Sequence, residues 1–109
     1  MRAGQLDRRI ELQVAVDRME GDPTDVNWET RATVWAQQLE KSQAERFVSD
    51  QSLSEVERVY RIRFRSDVEP GWRVKHGEEL WYVAGTAEVG RRTEALLLCT
   101  RNDPDDREE

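Results

Sequence analysis

The sequence is poor in the residues that most chemistry needs. Its 109 residues include one cysteine, Cys99, and one histidine, His76. A single cysteine rules out an intrachain disulfide, which fits a reducing compartment or indifference to redox state. Metal sites use several His or Cys ligands at defined spacing, and one of each falls short. His76 stands beside Gly77 in an expected turn, so a solvent-exposed turn residue is the plain reading. Cys99 closes the apolar run "ALLLC", and a buried, inert thiol is expected there. A Cys/His nucleophile pair would rest on these two residues alone. The six glycines are scattered, and none belongs to a Gly-rich loop that opens a helix and cradles phosphate. Carboxylate pairs such as Glu78-Glu79 are expected by chance among 23 acids. We therefore expect no enzyme, no metal and no cofactor.

Long apolar runs are missing too. "ALLLC" spans five residues, far short of a membrane crossing. The opening "MRAGQLDRRIEL" has no apolar signal-peptide core. A soluble chain with no membrane partner is expected.

Charge is abundant. Charged residues make up 37% of the chain, as do hydrophobic ones. An average globular domain has about 25% charged residues. The formal net charge is −6. Residues 102–109, "NDPDDREE", hold five acids and one arginine, a net −4, which leaves −2 for residues 1–101. An acidic body argues against tight non-specific DNA binding, which needs clustered cations. We expect one domain over residues 1–101 and a flexible acidic tail over 102–109.

Period-two alternation dominates the pattern. In "RRIELQVAV", residues 8–16, Ile10, Leu12, Val14 and Val16 share one face, and Arg9, Glu11 and Gln13 the other. Residues 17–27 form a polar connection with Gly21 and Pro23. Residues 28–39 resume as a second strand around Thr33, Val34 and Trp35, so the two strands are expected to form a hairpin with a long tip. Residues 40–57 are polar, and Ser42 to Glu45 has capping-box spacing. A short helix or a long loop is expected there. The third strand covers residues 56–65, and Pro70-Gly71 punctuates the turn after it. Residues 72–76 and 80–84 flank "HGEE" as a hairpin, and "GTAEVGRR" reads as a connection. Residues 93–101 form the last strand, apolar on both faces and therefore central or doubly covered. The expected fold is mainly β, a small antiparallel barrel or sandwich of about six strands. Its expected core includes Ile10, Leu12, Val14, Val34, Tyr60, Ile62, Phe64, Val83 and Leu97.

The stretch "VYRIRFRSDV" places Arg61, Arg63 and Arg65 on one strand face, with Val59 and Glu57, and Tyr60, Ile62 and Phe64 on the other. The arginines fit a solvated face paired with carboxylates, a protein interface, or a nucleic-acid stripe. Stacking on bases would want aromatics beside them, and here the aromatics alternate away. Trp28, Trp35, Trp72 and Trp81 are many for a domain of this size. They fit core or barrel-rim packing, or half-buried subunit contacts.

The order of features resembles the head-tail joining proteins of tailed bacteriophages, the head-closure or stopper family. The matching pieces are "MRAGQLDRRIELQ", a Gly-containing turn, "W" followed by "VWAQ", "SQAERF", "YRIRFRSDV", "LWYVAG" and "VGRRTEALLLC". They cover roughly residues 1–100. The resemblance implies a small β-barrel in a ring of identical subunits. Adaptor or portal proteins would sit above the ring, and a tail terminator or other tail proteins below. Double-stranded DNA would pass through the channel without sequence-specific binding. The place implied is the head-tail interface of a virion, or of a gene transfer agent, assembled in the bacterial cytoplasm. In such proteins the segment between the second and third strands can project into the channel and help retain DNA. Ser42, Glu45, Phe47 and Ser49 are candidates for that segment. Arg61, Arg63, Arg65, Arg91 and Arg92 are candidates for subunit contacts. The acidic tail is not an expected part of the family pattern, and fits an extension that orders on a neighbour. A small β-barrel that binds nucleic acid is the alternative function.

Overall fold

The protein is described by a computed structural model over residues 6–16, 27–46 and 55–101. Six strands and one helical turn follow one another: β1 (Arg8–Val16), β2 (Asn27–Leu39), α1 (Lys41–Ala44), β3 (Arg58–Arg63), β4 (Arg73–His76), β5 (Glu79–Val89) and β6 (Glu94–Thr100). The strands close into a barrel in the order β1-β2-β3-β6-β5-β4, with every pairing antiparallel. The chain is mainly β, as its alternating pattern implies. No helix of the described residues is long and apolar enough to cross a membrane.

Turn chemistry sets the register. Pro70 and Gly71 occupy the centre of a turn in which the Trp72 N–H donates to Glu69 O at 3.2 Å. Gly71 has φ +100°, the value a type II turn needs at its third position. Gly77, at φ +65°, opens the two-residue turn that pairs His76 with Glu79.

The region 85–89 is strand, where "GTAEVGRR" reads as a connection. Glu79 to Tyr82 pair with β4, and Tyr82 to Val89 pair with β6. The register shifts between Val83 and Gly85, leaving Ala84 as an extra residue. A bulge bends the strand and raises its twist, so one strand turns the corner of the barrel. Gly85 marks that bend and does not end the strand.

The barrel interior holds Ile10, Leu12, Ala36, Tyr60, Ile62, Val74, Trp81, Val83, Ala95, Leu97 and Cys99. Val14 is also buried, while Val34 and Phe64 are half-buried and pack against this core. β6 is buried along almost its whole length, because its two faces serve two cores. Ala95, Leu97 and Cys99 face inward. Leu96 and Leu98 face outward and meet Leu39, Ala44, Val56 and Val59. Val59 is thus fully buried, although its alternation places it with the arginines. Gln13 is buried too, beneath the Arg73 guanidinium whose Nε donates to Gln13 Oε1 at 2.7 Å. The β1–β2 register shifts between Leu12 and Gln13, leaving Arg31 of β2 as an extra residue.

The outward patch explains why the polar segment after β2 starts as a helix. The Glu40 N–H donates to Gln43 Oε1 at 2.8 Å, so the capping side chain acts two residues earlier than Ser42 to Glu45 spacing suggests. Ala44 is fully buried against the barrel wall and anchors the turn there.

Leu96→Ala and Leu97→Ala remove side chains from opposite faces of one strand. Each should cost about 2–5 kcal/mol, read as a lower urea midpoint. A cost for Leu96→Ala within about 0.5 kcal/mol of zero, the range of ordinary surface changes, would mean the outer patch is not a core.

Candidate functional site

Two polar networks built on stacked arginines, and an open groove, stand out among the described residues. The first network lies at the barrel end where β3 starts, β4 ends, β5 starts and β6 ends. Arg58 Nη1 donates to Glu79 Oε1 at 2.6 Å and to Tyr60 Oη at 3.3 Å. The Trp81 Nε1–H donates to the same Glu79 oxygen at 3.2 Å. The guanidinium carbons of Arg58 and Arg101 stand 4.4 and 4.9 Å from the Trp81 ring centre. The Tyr60 hydroxyl and His76 Nδ1 share a bond of 2.7 Å. His76 therefore closes β4 and faces a buried tyrosine, where its neighbour Gly77 suggests an exposed turn residue.

Protonation in this network follows from its contacts. The Trp81 N–H and Arg58 hold Glu79 below the usual carboxylate range. Burial pushes the Tyr60 hydroxyl up. Burial, then the charge of Arg58, holds His76 below its ordinary value of 6.5. A neutral His76 suits the bonding, because Tyr60 Oη accepts from Arg58 and has one proton to give to Nδ1. Burial also pushes the Cys99 thiol well above its ordinary range, as an inert thiol requires.

The second network lies on β1, β2 and β4. The Thr30 hydroxyl donates to Glu11 Oε1 at 2.8 Å, and Gln13 Nε2 donates to the same oxygen at 3.2 Å. Thr30, more than any other group, lowers the Glu11 carboxyl. Arg73 links Gln13 to the Trp28 ring, 4.3 Å from its guanidinium carbon, and Trp28 meets Tyr82 edge-on at 6.0 Å. Arg31 over Trp72 at 5.9 Å and Arg9 over Trp35 at 4.8 Å complete the pattern. Every tryptophan has an arginine over its ring. Each such contact is worth roughly 0.5–1 kcal/mol when exposed.

The Arg61, Arg63 and Arg65 stripe does not stay together. Arg61 is half-buried and stands 3.7 Å from Glu94. Arg63 is exposed at the end of β3. Arg65 lies beyond the strand and grips Asp67 with two bonds of 3.1 and 2.9 Å, which lowers the Asp67 carboxyl. Arg91 and Arg92 are exposed in the β5–β6 turn. Arg92 has φ +62°, uncommon for a residue with a side chain, and its guanidinium carbon stands 5.4 Å from the Phe64 ring centre. Ser42 and Glu45 are exposed on and just after α1; Phe47 and Ser49 lie outside the described residues. Alternation cannot find Arg9, Arg58, Arg73 or Arg101, because their rings arrive from other strands through the register.

A groove of about 330 Å³ opens beside this stripe, lined by Leu6, Val34, Trp35, Arg63, Phe64 and Arg65. Trp35 is 49% exposed, the most exposed of the large apolar side chains described. Among the described residues no group of His, Cys, Asp and Glu is arranged to hold a metal.

Residues 1–102 match the model of the phage head completion protein family. The chain belongs to that family. Head completion proteins are structural, so the chain has a structural role at the phage virion head, in contact with other head and tail proteins. No curated protein matches the chain. The solution structure of protein SF1141 from Shigella flexneri 2a shares the fold of this head completion protein, with a TM-score of 0.65 at 23% identity. The similarity covers 98% of this chain and 100% of that one.

His76 yields a pH prediction. Its folded-state pKa lies below the unfolded value, so the unfolded chain binds the proton first as pH falls. The contribution is complete above about pH 6.5 and is lost as the pH drops through the lowered value. The melting temperature should fall between pH 7 and 5, and His76→Gln should flatten that slope. An unchanged slope in His76→Gln would remove His76 from the account. Tyr60→Phe should cost about 1–3 kcal/mol in urea unfolding, because it strips a buried partner from His76 and Arg58.

Proposed function

We propose that this head completion protein is one subunit of a ring of identical copies that closes the neck between head and tail. Portal or adaptor proteins lie above the ring, and a tail terminator or other tail proteins below. Double-stranded DNA passes through the channel without sequence-specific contacts, and the ring helps retain it. The particle is a virion or a gene transfer agent, assembled in the host cytoplasm. The observation that carries this reading is the family match over residues 1–102. The acidic balance supports a conduit, since a strongly basic lumen would hold DNA and resist its sliding.

The segment between β2 and β3 is the proposed channel element. Ala44 and Val56 are buried in the same outer patch, so both ends of the segment are pinned close together on the barrel wall. Ser42 and Glu45 stand exposed at its first end. We place Phe47 and Ser49 in the part that reaches the lumen. The domain is residues 1–101, with 102–109 as an acidic extension.

A nucleic-acid-binding barrel has less support. Base stacking needs open aromatic faces, and of the four tryptophans Trp35 alone is exposed, with Arg9 over its ring.

Deleting the gene should leave DNA-filled heads that lack tails or leak their DNA, seen by electron microscopy. Normal tailed particles would refute the role. The isolated chain should bind duplex DNA only weakly at about 150 mM salt. Tight binding that is lost on changing Arg61, Arg63 and Arg65 to Glu would favour the nucleic-acid reading.

A further inference from the structure

The barrel wall parts between β2 and β3. Their ladder has three pairs, Gln37 with Arg61, Gln38 with Tyr60 and Leu39 with Val59. From Asn27 to Ala36, β2 pairs with β1 on one side and with no described strand on the other. Among the described residues that edge is free, and it offers backbone donors and acceptors to an added extended segment. The groove beside that edge combines the exposed Trp35 with arginines, the residue types that dominate binding hot spots. Arg63 has no ion pair among the described residues, and Arg9 meets only the Trp35 ring. The fitting occupant is therefore extended and rich in carboxylates.

Residues 102–109 have that chemistry, with Asp103, Asp105, Asp106, Glu108 and Glu109 against one arginine. Pro104 favours an extended backbone before it. We propose that this acidic segment of a second copy lies along the open edge of β2, its carboxylates against Arg63 and Arg9 and its backbone beside Trp35. A chain's own segment is badly placed to do so. It leaves β6 at the level of Arg58, the partner of Cys99, whereas the groove lies level with Glu94, five residues back along the strand. Five strand residues span roughly 17 Å, and β3 must also be crossed. Eight extended residues reach at most about 28 Å, which leaves little length to lie in the groove. A neighbouring copy has no such limit.

This inference rests on the ring reading, and sedimentation of the full-length chain across concentration tests it separately. One variant carries Arg9→Glu and Arg63→Glu; a second changes the five tail acids to Lys. The wild type should self-associate, more weakly at high salt, and each variant alone should associate at least tenfold more weakly. An equimolar mixture should recover association, because each tail then meets a groove of opposite charge. Variants that associate like the wild type, or a mixture that does not recover, overturn the inference. So does a wild type that stays monomeric. If gene deletion still yields tailless heads in those cases, the proposed function stands without this contact. Normal particles after deletion would remove the function itself.

Discussion

A strand that is apolar on both faces must be covered on both. β6 meets this need in two ways at once. Its inner face, through Ala95, Leu97 and Cys99, requires a closed barrel. Its outer face, through Leu96 and Leu98, requires a second cover from Leu39, Ala44, Val56 and Val59. Each fully buried leucine is worth roughly 1.5–3 kcal/mol, so uncovering either face would use up much of the 5–15 kcal/mol of a typical domain. The outer cover comes from the end of β2, from α1 and from the approach to β3. The segment between those elements is therefore tied to the barrel at both ends. The feature proposed to act in the channel starts and stops where it does because β6 needs that cover.

The opposite wall uses a different cover. There the large rings of Trp28, Trp35 and Trp72 are only partly buried, and guanidinium groups lie over them. Arginine suits this place, since it is planar, weakly hydrated for a cation, and able to hydrogen-bond at its edge while it stacks. Arg73 does both, donating to buried Gln13 beneath it. Arg58 does both at the barrel end, between Glu79 and Trp81. A chain with 37% charged residues can thus be acidic overall and still place cations in structural positions. Trp35 has Arg9 over its ring and still stays 49% exposed, beside the part of β2 that lies beyond its ladder with β3.

Much of the fold is legible in the residues themselves. Alternation in "RRIELQVAV", the Pro70-Gly71 turn and the Gly77 hairpin each encode a local geometry that single residues decide. The double burial of β6 is legible for the same reason, since a run such as "ALLLC" has no polar face to turn outward. The extent of β5 is not legible. Gly85 looks like a break until β6 is present to pair with Thr86 through Val89. Nor is the position of Val59, which alternates with arginines and is buried only because Ala44 and Val56 come to cover it. His76 shows the same limit, for its partner Tyr60 is 16 positions away and arrives through the barrel.

The sequence by itself determines a small antiparallel β domain and, through the order of its motifs, its kinship with head completion proteins. Strand period, turn residues and apolar runs act over a few neighbours and need no knowledge of the rest of the chain. The tertiary structure alone decides which arginines are structural and which are open to a partner. That choice depends on cross-strand register and on where a ladder ends, and both are set by closure of the barrel as a whole. Arg61, Arg63 and Arg65 are equivalent as letters. In the folded chain one stands beside Glu94, one grips Asp67, and Arg63 lines an open groove.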